Sequence, residues 1–177
     1  MEIGGVVATD AGMAGLWSPA SFAHVVDYDT GESALPADED IARHIADGAF
    51  VPVNIGGDGA FQVVVRAGSS STTAELSQRE RRFLLTSSQP HLFVSAGVAL
   101  ISGIQHVQGA AGEGLRLPAA AGSLERHRRP DRLGRRTRPA DQLRKSAPTA
   151  LPDLVLLINP ALAGPTRYRT SLQTFER

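Results

Sequence analysis

The chain has 177 residues, 18 Lys/Arg against 18 Asp/Glu, and no cysteine. Such a length suits one domain that buries its own core, and the absence of cysteine excludes disulfides, thiolate catalysis and cysteine-ligated zinc. The zero net charge hides a division: residues 1–125 carry 14 acidic and 6 Lys/Arg side chains, and residues 126–145 carry 9 Lys/Arg and 2 acids.

In chain order, residues 3–9 are β-branched and glycine-led and predict a strand, with Asp10-Ala11-Gly12 as a turn. Residues 13–17 fit a returning second strand. Ser18-Pro19 then has the form of a helix start, Ser as cap and Pro at the first helical position. The spacing of Ile41 and Ile45 predicts a helix over 38–47, with Asp38, Glu39 and Asp40 at its N-terminal end and Gly48 to stop it.

Residues 50–55 and 61–66 read as two strands of a hairpin joined through Gly56-Gly57-Asp58-Gly59. Ser77 and Glu80 have capping-box spacing. Residues 82–87 predict a strand, and 91–96 with 98–104 a paired or bent run with glycines at its corners. Between 119 and 149 neither helical nor strand periodicity persists, and Pro130, Pro139 and Pro148 punctuate the stretch. Alternating apolarity returns at 154–158 and again, imperfectly, at 168–175.

The expected fold class is therefore all-β or β-dominated: two packed antiparallel sheets or a partly open barrel with one or two short helices, a single β-rich domain over 1–177 interrupted at about 119–149. The apolar runs at 92–104 and 154–158 are too short to span a bilayer as helices. The opening MEIGGVVATD lacks the form of a signal peptide. These features lead to the expectation of a cytoplasmic protein with no membrane partner.

No catalytic motif stands out. Asp27 and Asp29 have the two-residue spacing of calcium-loop carboxylates but lack the terminal Glu and flanking helices, so a surface turn is the simpler account. Asp58 between glycines is good turn chemistry before it is a metal ligand. His91 and His106 bracket the apolar run and would make a His/Asp hydrolytic or metal site if the fold brought them to an acid. Ser95 and Ser102 lack the Gly-x-Ser-x-Gly context of an activated nucleophile. The run Gly109–Gly114 lacks dinucleotide-fingerprint spacing, so no cofactor is expected.

The basic stretch has three readings. Arg126, Arg128, Arg129, Arg132, Arg135, Arg136 and Arg138 would grip a polyanion such as nucleic acid without reading its sequence. They would equally suit a solvated loop, or mark a shifted reading frame in a GC-rich gene. Trp17, Phe22 and Tyr28 gather near the N-terminus as a recognition patch or, by default, as core.

One resemblance is carried by Ala8-Thr9-Asp10-Ala11, Leu16-Trp17-Ser18-Pro19, His24, Asp27, Asp29, Gly48 and Ile55-Gly56-Gly57-Asp58-Gly59-Ala60-Phe61. Over residues 1–66 the chain is similar to small uncharacterised bacterial β-rich domains, some of them near polymorphic toxin systems. The resemblance implies no catalytic residues. The leading expectation is a non-enzymatic interaction protein, in one version immunity-like, whose acidic portion suits a partner with a basic surface. The alternatives are a small metal-dependent or His/Asp hydrolase, and nucleic-acid binding through the arginine-rich stretch.

Overall fold

The computed structural model describes residues 1–27, 29–31, 35, 37–95, 97–110, 112–118, 123–128, 150–161 and 167–175. Two sheets make the frame. Strands β1 (Glu2–Thr9), β4 (Gly59–Ala67), β5 (His91–Ser95), β8 (Ser123–Arg128) and β9 (Leu154–Pro160) form a five-stranded sheet in the order β1-β4-β9-β8-β5. Strands β2 (Met13–Trp17), β3 (Phe50–Asn54), β6 (Val98–Gly103) and β7 (Leu115–Pro118) form a four-stranded sheet in the order β3-β2-β6-β7. Among the described residues the helical segments are short: α1 (Asp38–Ala46), α2 (Gln78–Arg82), residues 29–31, and 3-10 turns at Pro19–Phe22 and Ile104–His106. The β-dominated class expected from the sequence is the class observed, as two sheets and not a closed barrel.

The two sheets share one bent hairpin. β1 pairs with β4 from Glu2↔Arg66 to Thr9↔Gly59, and β2 pairs with β3 from Met13↔Asn54 to Trp17↔Phe50. The chain thus runs up through β1 and β2 and back through β3 and β4 in nearly continuous register, and both legs bend from one sheet into the other. Gly12 (φ 64°) and Gly56 (φ 69°) allow the bends, since both adopt left-handed backbone. The Gly12 carbonyl accepts from the Ile55 and Gly56 amides, and the Asp58 carboxylate accepts from the Gly12 amide. Gly56-Gly57-Asp58-Gly59 is therefore a corner and not the tip of a two-strand hairpin, a correction to the sequence expectation. Turn residues favour a sharp bend whether or not it joins partners in one sheet. The same happens at Gly97 (φ 129°), where β5 in one sheet gives way to β6 in the other.

The apolar layer between the sheets is built by alternate residues: Leu16 of β2, Val51 and Val53 of β3, Val63 and Val65 of β4, Phe93 of β5, Ile101 of β6 and Leu156 of β9, all at most 1 % exposed. The four-stranded sheet is also covered on its outer face. There Trp17, Phe50 and Leu100 pack with Phe22, Val25 and the Ile41/Ile45 stripe of α1. β9 is likewise buried twice, with Val155 and Leu157 meeting Ala74, Leu76 and Leu151 outside. Double burial explains why 154–158 is a continuous apolar run.

Close packing leaves little latitude at Gly15, where an added Cβ would lie 2.3 Å from two ring carbons of Phe50. Gly15→Ala is expected to destabilise the fold by about 1–3 kcal/mol through overpacking, read as a lower urea midpoint at unchanged slope.

Four further expectations are corrected. The sheets are not wholly antiparallel, because β4 and β9 run parallel from Val63↔Leu154 to Ala67↔Ile158. Residues 82–87 are not a strand: α2 ends at Arg82, and only an isolated bridge at Leu84 follows. Residues 168–175 contribute a single bridge, Thr174↔Asn54, among the described residues. The interval from 119 to 149 is not wholly without pattern either. It supplies β8, which pairs antiparallel with β5 and with β9, so strands from both sides of the arginine-rich stretch share one sheet.

Candidate functional site

The residues singled out from the sequence fall into separate places. Asp27 is exposed and caps the turn at 29–31, its carboxylate accepting from the Thr30 amide at 2.9 Å and the Thr30 hydroxyl at 2.7 Å. The Thr30 hydroxyl, with the Thr30 amide, holds that carboxyl below the ordinary range. Asp29 is exposed on the same turn, and Asp58 is engaged at the Gly12 corner. His91 lies on the inward face of β5 with Phe93 and is fully enclosed. His106 is half-exposed in the second 3-10 turn, 3.9 Å from Glu113. Among the described residues no three His, Asp or Glu side chains gather closely enough to hold a metal ion.

Both candidate serines are buried in structural roles. The Ser102 hydroxyl accepts from the Trp17 indole N–H at 2.9 Å and donates to the Gly103 carbonyl at 3.0 Å. The Ser95 hydroxyl donates to the Gly97 carbonyl at the β5–β6 corner. Trp17 and Phe22 are 0 % exposed, so they are core and not a recognition patch. The reason is α1, which the sequence places close to them and which lays its apolar stripe over their rings. Tyr28, Arg129, Arg132, Arg135, Arg136 and Arg138 lie outside the described residues; Arg126 and Arg128 stand in β8, at the register positions Leu92↔Arg126 and Arg128↔Leu157. The gap between the sheets that is lined by Val7, Phe61, Ile101 and Leu156 is too narrow to take a water molecule.

What the structure assembles instead is surface. α1 carries exposed Asp38 and Glu39, exposed Asp47 stands at its C-cap, and Asp40 is paired to Arg43 at 2.8 Å. Beside it a Phe22–His44–His24 stack reaches the surface, with ring centroids 4.8 Å apart for Phe22 and His44 and 6.4 Å for the two imidazoles. Over residues 10–58 there are nine acidic side chains and one basic one, Arg43.

On the outer face of the five-stranded sheet sits an ion-pair clamp that sequence reading missed. Arg66 of β4 binds Glu80 of α2 with both terminal guanidinium nitrogens, at 2.6 and 2.9 Å, and reaches Glu2 of β1 with its Nε. Glu80 is 3 % exposed and also closes the capping box with Ser77, accepting from the Ser77 amide while the Ser77 hydroxyl accepts from the Glu80 amide. Burial pushes the Glu80 carboxyl up, but Arg66 and the Ser77 hydrogen bonds outweigh it and leave the group below the ordinary range. The Glu80 carboxylate raises the Arg66 guanidinium in turn. The capping-box spacing was visible in the sequence; the partner across the sheet was not.

No helix among the described residues is long and apolar enough to cross a membrane. No family model matches the sequence. Comparison with curated proteins finds no match either. Among solved structures the chain is similar to a protein named "Crocagin biosynthetic gene J", with a TM-score of 0.55 and 18% identity over 90% of this chain and 95% of that one. At such identity the likeness is one of fold, and it extends across nearly the whole of both chains.

Proposed function

We propose that this chain is a non-catalytic binding protein that takes a partner with a basic surface on its acidic α1 side. The carrying observation is exposed Asp38 and Glu39 on α1 with exposed Asp47 at its C-cap, within a stretch, residues 10–58, whose sequence has nine acids and one Lys/Arg. Exposed charge of one sign steers an oppositely charged partner and sets its salt dependence. Support also comes from side chains weighed as nucleophiles or metal ligands, since Ser95, Ser102, Asp27 and Asp58 are each engaged in holding a turn, corner or core contact.

The resemblance of residues 1–66 to domains near toxin systems favours an immunity-type partner. The fold neighbour, named for a biosynthetic gene, favours a second form of the same reading: an accessory protein that binds a component of a biosynthetic assembly. The identity of the partner separates the two.

The test is capture from native lysate by the immobilised full chain, against the variant Glu39→Lys/Asp47→Lys. The expected result is a partner of basic surface that is retained at low salt, released at high salt and lost on the variant. Equal capture by both chains would overturn the reading.

A further inference from the structure

A second surface, on the opposite charge, follows the Arg66–Glu80 clamp. Phe83, Leu84 and Leu85 are consecutive and exposed by 48 %, 38 % and 62 %. Apolar side chains scattered singly over a surface are ordinary, but three in succession on one short segment mark a place where something binds. The segment is held on a fixed base, because α2 is capped at Ser77 and pinned through Glu80 to β4.

The charges around it are specific in sign. Arg81 is paired with Glu75, and Glu80 is consumed by Arg66. Arg79 and Arg82 are exposed and have no carboxylate partner among the described residues. The Arg82 guanidinium instead lies 5.7 Å from the centre of the Phe83 ring, which couples the cation to the apolar strip. Arginine beside an aromatic ring offers a planar fork for a carboxylate and a flat face for an apolar neighbour at once.

We propose that residues 79–85 form a docking ledge for an acidic, apolar peptide segment of a partner protein. Carboxylates of the segment accept from Arg79 and Arg82, and an apolar side chain between them lies on Phe83 and Leu85. The sign of the two arginines excludes the chain's own stretch 126–145 as occupant, since its 9 Lys/Arg would be repelled. Two cations without a carboxylate partner among the described residues, and three apolar side chains, are also fewer than a lasting hold on an anionic bilayer needs. The proposal deepens the binding reading and rests on it.

The experiment is fluorescence anisotropy of the full chain with a labelled probe peptide of alternating glutamate and leucine, and with its lysine-for-glutamate counterpart. The glutamate probe is expected to bind and the lysine probe not. Arg79→Glu/Arg82→Glu and, separately, Leu85→Ser are each expected to weaken binding by about ten-fold or more. Both should keep the wild-type melting temperature, since all three side chains are exposed.

Glu39→Lys/Asp47→Lys is expected to leave probe binding unchanged. Equal affinity of wild type and both ledge variants overturns the proposal. So does binding to vesicles containing phosphatidylserine without binding to the glutamate probe, or a dimer that Leu85→Ser abolishes. If the ledge fails while α1-dependent capture holds, the docking site falls and the binding protein stands; if both fail, both fall.

Discussion

Trp17→Ala is expected to lower stability by about 3–5 kcal/mol, enough to threaten folding of a domain whose whole margin is about 5–15 kcal/mol. Trp17 is 0 % exposed and sits where β2, the Pro19–Phe22 turn and α1 meet, with Phe22 edge-on at 6.0 Å and Phe50 and Leu100 in the same cluster. Truncation would leave a large void under α1 and strip the Ser102 hydroxyl of its donor. Trp17→Phe keeps most of the volume and removes the indole N–H, so it is expected to cost far less, about 1–2 kcal/mol. Urea melts of the two variants followed by far-ultraviolet circular dichroism separate packing from hydrogen bonding. A loss below about 1 kcal/mol for the alanine variant would show that α1 does not seal this cluster in solution. Trp17 is the sole tryptophan, so the wild type supplies its own fluorescence signal for the same transition.

Arg66→Ala should cost about 3–5 kcal/mol, because it strands the buried Glu80 carboxylate without its counter-charge. The pH dependence gives the sharper signature. Glu80 is held below its unfolded value, so the stability it contributes is fully present above the ordinary glutamate range and is lost as pH falls through the folded value. In the wild type, acidification from about pH 5 to pH 2 is therefore expected to remove part of the stability. Without Arg66 burial still raises the carboxyl and only the Ser77 hydrogen bonds oppose it, so the variant has less stability at this site to lose as pH falls. The difference in stability between wild type and variant should shrink on acidification. A gap that stays constant from neutral pH into acid would show that the pair is solvated and contributes little.

How much of this was legible beforehand depended on the range of the interaction. The helix over Asp38–Ala46, its Gly48 terminator (φ 72°) and the Ser77–Glu80 capping box are set by contacts within a few residues, and all are present. The strand at Leu154–Pro160 was visible because burial on both faces makes it uniformly apolar. Which strand pairs with which is decided elsewhere. The turn at Gly56–Gly59 carries the same residues whether the chain reverses within one sheet or folds over into the next, and local chemistry does not distinguish the two.

The candidate site was less legible still. Nothing near Arg66 or Glu80, 14 residues apart, announces their meeting; it requires knowing that Arg66 points outward from β4 and that α2 covers that face. Trp17 and Phe22 were open to either reading until α1 was placed over them. Residues 83–85 have strand-like composition, but they follow a helix pinned by its own ion pair, and they are left on the surface.

The parallel pairing of β4 with β9 has a consequence for how the chain comes to be folded at all. Val63 must wait for Leu154, so during synthesis β4 exposes one bare edge until some ninety further residues have left the ribosome. Contacts so distant along the chain carry a high closure entropy and make for slow folding. In that interval the naked strand is a template for any passing β-segment. The nascent protein should thus lean on chaperones, and its yield should fall more steeply with expression rate than its final stability would suggest.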